Sequence, residues 1–204
     1  MSTRSLSAAA FLAAAALVPA GHAQTASTNP ATVQSGHYVV EPYHTRVLFA
    51  VSHFGFTTYY GDFTQVSGTL DLAAGKRADS RVSISLPIAT VSTTNPKLDE
   101  ELKGPQWFNA AVFPTASFQS TRITPTGPSS AKVEGNFTLH GVTHPLILDV
   151  TFHGAGINVV DHNYTVGFDA TGTLKRSDYG VTTYVPLVGD EVQLIISAAF
   201  EKRG

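Results

Sequence analysis

The stretch Lys132-Val133-Glu134-Gly135-Asn136-Phe137-Thr138-Leu139, followed by His140-Gly141, decides the fold. Val133, Gly135, Phe137 and Leu139 take every second position, and Lys132, Glu134, Asn136 and Thr138 fill the gaps. Successive side chains on a strand leave opposite faces, so this is a strand with one apolar and one polar face. His140-Gly141 supplies a hairpin turn, and Leu146, Leu148, Val150 and Phe152 continue the alternation on the return. Upstream the pattern recurs at Val47, Phe49 and Val51, and again at Val82, Ile84, Leu86 and Ile88. Downstream it recurs at Tyr164, Val166 and Phe168, then at Val192, Leu194, Ile196, Ala198 and Phe200. With no long amphipathic helix to cover these faces, the strands must bury them against one another in a sandwich or a barrel. A barrel can also enclose an apolar cavity.

Strands are predicted over 37–41, 45–54, 59–71, 79–88, 115–124, 131–139, 145–153, 163–174 and 191–202. Pro42 ends the first, because proline cannot donate to a ladder. The apolar parity slips between Phe63 and Val66, which predicts a bulge near Thr64 or Gln65. Gly154-Ala155-Gly156 reads as the opening of a longer connection. The segment from Val91 to Phe113 breaks the pattern. Asn95-Pro96 starts it, and Leu98, Glu100, Glu101 and Leu102 precede Gly104-Pro105, so a short helix is predicted over 97–103. Trp107, Phe108 and Phe113 follow without strand alternation, as expected of a plug over one end of a barrel.

The N-terminal end reads as a targeting segment. Arg4, the apolar run Ala8 to Val18, and Gly21-His22-Ala23 make a secretory signal peptide over 1–23, cut before Gln24; the run is short for a membrane span. Residues 24–35, rich in Thr, Ser, Asn and Ala, are predicted to form a flexible leader. A single domain over 36–202 follows, and the periplasm is the expected compartment. The chain has no cysteine, so neither a disulfide framework nor thiol chemistry is available. Charged residues make up 14% and the net charge is −2, which gives no electrostatic case for a nucleic-acid partner.

Catalytic patterns are scarce. Gly-x-Ser-x-Gly, Gly-x-Gly-x-x-Gly and Walker-type loops are absent from the sequence. His140 and His144 are four apart, but Gly141 and Pro145 place them in a turn, where two exposed histidines are expected rather than a metal pair. By parity His53 shares the face of Val47, Phe49 and Val51, either as a hydrogen-bonded core residue or as a ligand contact. Asp149 and Asp169 fall on the solvated parity. Arg176-Ser177-Asp178-Tyr179-Gly180 has two readings. Arg176 and Asp178 form an ion pair within a turn, or Arg176 stands at a cavity mouth where it grips an anionic or carbonyl head group.

The chain resembles the YceI-like family of periplasmic or secreted, lipocalin-like polyisoprenoid-binding proteins. The resemblance rests on His44 to His53, Gly61-Asp62-Phe63, Ser92-Thr93 and Leu98-Asp99-Glu100-Glu101-Leu102. It continues through Trp107-Phe108-Asn109, Phe113 to Phe118, Val133 to Thr143 and Arg176 to Gly180, in family order. It departs from the family at Trp107, where a second Phe is usual, and at Glu101, where His is frequent.

The resemblance implies an all-β, antiparallel lipocalin-like barrel of about eight strands with a short helical plug. It also implies an internal pocket for a long isoprenoid chain or similar amphiphile. On that fold the ligand wall is expected to include Phe49, Val51 and His53, then Phe63, Ile84 and Leu86. Phe118, Phe137, Leu148, Val150 and Phe168 continue it, with Trp107, Phe108, Arg176 and Asp178 near the opening. The expected role is non-catalytic carriage or storage of a polyisoprenoid or isoprenoid quinone, with no other cofactor. Two alternatives stand beside it: a lipid-modifying enzyme or hydrolase using His53 as base, and a filled barrel acting as a structural protein or partner of a membrane complex. Outward residues such as Leu48 and Ile195 suggest a homodimer.

Overall fold

The computed structural model describes residues 26–203. The signal peptide predicted over 1–23 lies outside the described residues. Among these, the strands are β1 (Gly36–His53), β2 (Thr57–Phe63), β3 (Ser67–Leu72), β4 (Arg81–Pro87) and β5 (Val91–Ser92), followed by β6 (Thr115–Pro125), β7 (Ser130–Leu139), β8 (Val142–Ile157), β9 (Tyr164–Lys175) and β10 (Val188–Arg203). One α-helix, α1 (Pro96–Lys103), interrupts them. The sheet order is β10-β9-β8-β7-β6-β4-β3-β1-β2-β5, and β10 also pairs with β1 to close the ring. All pairings are antiparallel. β2 and β3 lie along successive halves of one edge of β1, and β5 continues β4 beside β2. The ten segments therefore build an eight-stranded closed barrel, as expected.

Three boundaries differ from expectation, each for a local reason. β1 runs unbroken through Pro42, with a register shift against β10 between Glu41 and Arg46. The buried Glu41 carboxylate accepts the backbone N–H groups of Tyr43 (3.0 Å) and His44 (2.8 Å), which replaces the ladder bonds lost at the proline. β8 extends through Gly154-Ala155-Gly156 with a bulge at His153. These small residues admit the incoming N-terminal segment, since Ser27 and Ala155 exchange two backbone hydrogen bonds of 2.7 and 2.9 Å. The described part of the leader is thus docked. It makes a 3-10 turn at Pro30–Thr32 capped by Asn29, and Tyr164 Oη donates to Thr32 O. The parity slip after Phe63 is a true break between β2 and β3, with Gln65 at φ 55°.

Two ends follow from this topology. One carries the turn at 54–56, the whole 88–114 excursion, the His140-Gly141 turn and the 176–187 segment. The other carries the 73–80 and 126–129 turns, the 158–163 loop and the docked N-terminal segment. At the first end Asn95 Oδ1 caps α1 by accepting from Lys97 N and Leu98 N. Asp99 accepts from both Thr93 N (2.7 Å) and Thr93 Oγ1 (2.6 Å), tying the helix to β5. Leu98 and Leu102 then face the barrel, and Trp107 and Phe108 cover its end.

Candidate functional site

The inward rows do not fill the barrel. They surround a cavity of about 490 Å³ that extends from Pro30, Val33 and Arg77 at one end to Leu98, Trp107 and Tyr184 at the other. Small-molecule sites commonly span ~300–1,000 Å³, and an engineered hole of ~150 Å³ holds a benzene. The barrel therefore has room for about three groups of that size end to end.

Nearly every residue expected on the ligand wall lines this cavity. Phe49, Val51, His53 and Phe63 line it from β1 and β2, and Ile84, Leu86 and Phe118 from β4 and β6. Phe137, Leu148, Val150 and Phe168 line it from β7, β8 and β9, while Trp107, Phe108 and Arg176 close over it. The aromatic wall is continuous at the helical end. Phe49 and Phe63 have ring centroids 5.8 Å apart, and Phe63 and Phe108 5.9 Å. Asp178 does not belong. Its side chain is exposed beside a separate surface hollow with His144 and Glu191, because it sits in the outer turn of a 3-10 segment (Arg176–Tyr179).

Leu194, Ile196, Ala198 and Ala170 are further wall residues that were legible in the alternation of their strands. Pro30, Val33, Arg77 and Pro128 were not. They floor the cavity from turns, and Arg77 holds two of these together by donating from Nη1 to Pro128 O (3.0 Å) and from Nη2 to Gly127 O (2.9 Å). No periodic signal marks a residue that reaches the interior from a turn.

Arg176 does not make the ion pair of its first reading; it stands at the cavity end, as in the second, with its donors spent on the backbone. Its guanidinium is buried and makes no bond to Asp178. Nε donates to Gly189 O, Nη1 to Val181 O and Nη2 to Val188 O, each at 2.8 Å. It also lies 5.4 Å from the centre of the Trp107 ring, within cation–π range. Arg176 is thus a latch holding the 181–189 segment across the barrel end, with its outer flank on the cavity. Burial lowers its pKa, against the opposing charge of Asp190. Burial also acts on Asp190, but hydrogen bonds from Ser177 N (2.9 Å) and Ser177 Oγ (2.8 Å), with the charges of Arg176 and Lys175, hold its carboxyl below the usual range.

The histidines are more packed than expected. His140 is half-buried. Its Nδ1 donates to Tyr179 O (3.1 Å), while its ring meets Phe113 edge-on and its Nε2 is buried without a protein partner. His144 lies edge-on to Tyr179 at 5.4 Å. His53 stands at the helical end of the cavity with its ring against Phe54 (4.6 Å) and Tyr59 (5.8 Å). Three of the wall hydroxyls are engaged elsewhere. Thr45 bonds the backbone of Ala199, Thr93 donates to Asp99, and Ser80 accepts from Ala73 N. Among the described residues, no group of three or more His, Asp or Glu side chains is placed to hold a metal ion.

A closed eight-stranded antiparallel barrel around one apolar cavity, capped by a short helix, defines a lipocalin-like barrel protein. The family model of the YceI-like domain matches residues 38–200, and the chain belongs to that family. A UPF0312 protein of Azotobacter vinelandii is 32% identical over 191 residues, covering 93% of this chain and 94% of its own. One from Pseudomonas syringae pv. tomato is 33% identical over 175 residues, covering 85% of each. Among solved structures, Burkholderia cenocepacia BcnA aligns with a TM-score of 0.71 at 24% identity, over 78% of this chain and 98% of its own. A polyisoprenoid binding domain from Saccharophagus degradans, implicated in plant cell wall breakdown, aligns with a TM-score of 0.58 at 12% identity, over 83% of this chain and all of its own.

Proposed function

We propose that this protein binds and carries or stores a polyisoprenoid or isoprenoid-quinone-like amphiphile in the periplasm, without catalysis. The observation that carries the reading is the hydrocarbon-walled cavity of about 490 Å³ running along the barrel. Three five-carbon units placed there gain about 12 kcal/mol at ~0.8 kcal/mol per buried carbon. That exceeds most of the range of association costs, ~4–15 kcal/mol, so no strong polar contact is required. The flat phenyl walls of Phe49, Phe63, Phe137 and Phe168 accept branched methyls in many orientations. Family membership supports the reading, as does the barrel shared with a polyisoprenoid binding domain. The compartment rests on the signal-peptide pattern of residues 1–23.

Organic extraction of the purified protein followed by mass spectrometry tests the ligand. An isoprenoid chain near one per barrel is expected, and extracts of folded protein with only trace lipid would overturn the proposal. An N-terminus at Gln24 in protein recovered from the periplasmic fraction tests the compartment. Recovery of the uncut chain from the cytoplasm would refute it.

A further inference from the structure

Most apolar side chains among the described residues are covered, but several large ones at the helical end are not, and four of these share two joined segments. Phe54 is 43% exposed, Phe56 88%, Tyr184 57% and Leu187 58%. They belong to two segments that are joined to each other and to the plug. Phe54 N donates to Leu187 O (2.8 Å), Val188 N donates to Tyr184 O (2.9 Å), and Thr183 Oγ1 donates to Gln106 O. The Tyr184 ring lies 6.2 Å from that of Trp107. Together they form one rim. Phe54 and Tyr184 are at once exposed and part of the cavity wall, so the rim is the lip of the cavity.

The two segments that carry these side chains are also free of charge. From Val47 to Gly61 and from Tyr179 to Gly189 the chain has no Asp, Glu, Lys or Arg. Val159 and Val160 at the opposite end are comparably exposed, at 64% and 86%, but neither lines the cavity and Asp161 follows them directly. Glu101 on α1 borders the mouth on the plug side, so the uncharged lip is the side made by these two segments; its exposed aromatics and leucine match the boundary between lipid head groups and acyl chains. There phenyl and phenol rings are favoured and charges are not.

We propose that the rim formed by Phe54, Phe56, Tyr184 and Leu187 docks on the surface of a phospholipid bilayer and aims the cavity mouth into it. This rests on the lipid-binding reading above, and explains how a water-insoluble chain enters without crossing water. A bilayer fits better than a second copy of the chain, because a mouth sealed by another mouth would leave the ligand no route in or out.

The test uses the chain from Gln24 onward, which contains every strand of the closed sheet. Its binding to phosphatidylcholine vesicles is measured by co-sedimentation, with bound lipid quantified separately by extraction. The double variant Phe56→Ser/Leu187→Ser is expected to lower vesicle partitioning about tenfold per side chain. Val159→Ser/Val160→Ser at the other end should leave partitioning unchanged. Because phosphatidylcholine vesicles carry no net charge, added salt should leave wild-type binding unchanged as well. Equal losses in both double variants, or none in the first, overturn the docking proposal. So does a dimer that dissociates in Phe56→Ser/Leu187→Ser while vesicle binding is absent throughout. Failure of the two readings is distinguishable. A lipid-loaded protein that never pellets with vesicles refutes docking alone, and a docking protein with a lipid-free cavity refutes the ligand instead.

Discussion

Replacing Arg176 with alanine tests whether the latch, rather than an ion pair, holds the barrel end. The guanidinium satisfies three carbonyl oxygens, of Val181, Val188 and Gly189, each at 2.8 Å. A buried acceptor stranded by loss of its partner costs ~1–3 kcal/mol. The adjoining cavity lets water reach these oxygens, which favours the lower figure, about 3 kcal/mol for the set. Loss of the contact with Trp107 adds ~1 kcal/mol. Removing the charge also relieves its desolvation, but the three carbonyls are left without their donors, so the relief does not cancel the loss. With a urea m-value of about 2 kcal/mol/M, the midpoint should fall by about 2 M. Arg176→Lys keeps a cation but lacks the planar fork, and should fall by about half as much. Amides of the 181–189 segment should exchange faster in native-state hydrogen exchange, ahead of those in β7 and β8. An Arg176→Ala midpoint within ~0.3 M of wild type, with unchanged exchange at 181–189, would refute the latch.

Three further predictions probe the wall, the packing and the floor. Ala170→Trp sets an indole across the middle of the cavity from β9. The protein should fold, while recovered lipid per mole falls at least about tenfold, a change of ~1.4 kcal/mol in affinity. Gly135→Val should destabilise by ~1–3 kcal/mol in urea titration, because a Cβ there would stand 2.5 Å from Gln119 O and meet the Phe118 ring. Burial, with a smaller effect from Tyr164, pushes the Tyr38 phenol up to about 12, and its hydroxyl donates to Gln34 O (2.6 Å). The folded state therefore holds that proton above the unfolded value of 10.0. Its contribution is full below pH 10 and should be lost as pH rises toward 12; Tyr38→Phe should flatten that part of the stability curve.

The walls were legible because burial on a strand has period two, and a residue such as Phe137 or Ile196 declares its side by its neighbours. Even the break after Phe63 left a mark, since a parity slip is the sequence image of a bulge. The ends were less legible. Turn residues reach the interior without periodicity, so Pro30, Val33 and Arg77 could not be told from solvated loop. The leader looked free because its partner, Gly154-Ala155-Gly156, lies far along the chain and carries no side-chain signal. Arg176 was singled out, but its bonds to the backbone were not legible. Three backbone carbonyls contacted from one guanidinium have no residue identity, and so leave no trace in a sequence. Asp178, two positions on, looked like a partner only because adjacency in sequence was read as adjacency in space.

The closure of the ring by β1 and β10 bears on how the molecule is assembled in time. The strands that seal the wall are the first and the last made, and His37 must find Arg203 across almost the whole domain. Contacts of such long range are slow to form, because the chain between them must be ordered first. Until the sixteen residues of β10 arrive, the other strands can form only an open trough with an unpaired edge on each side. Without β10, β9 and β1 each keep a bare edge, and the wall has no seam along which to close.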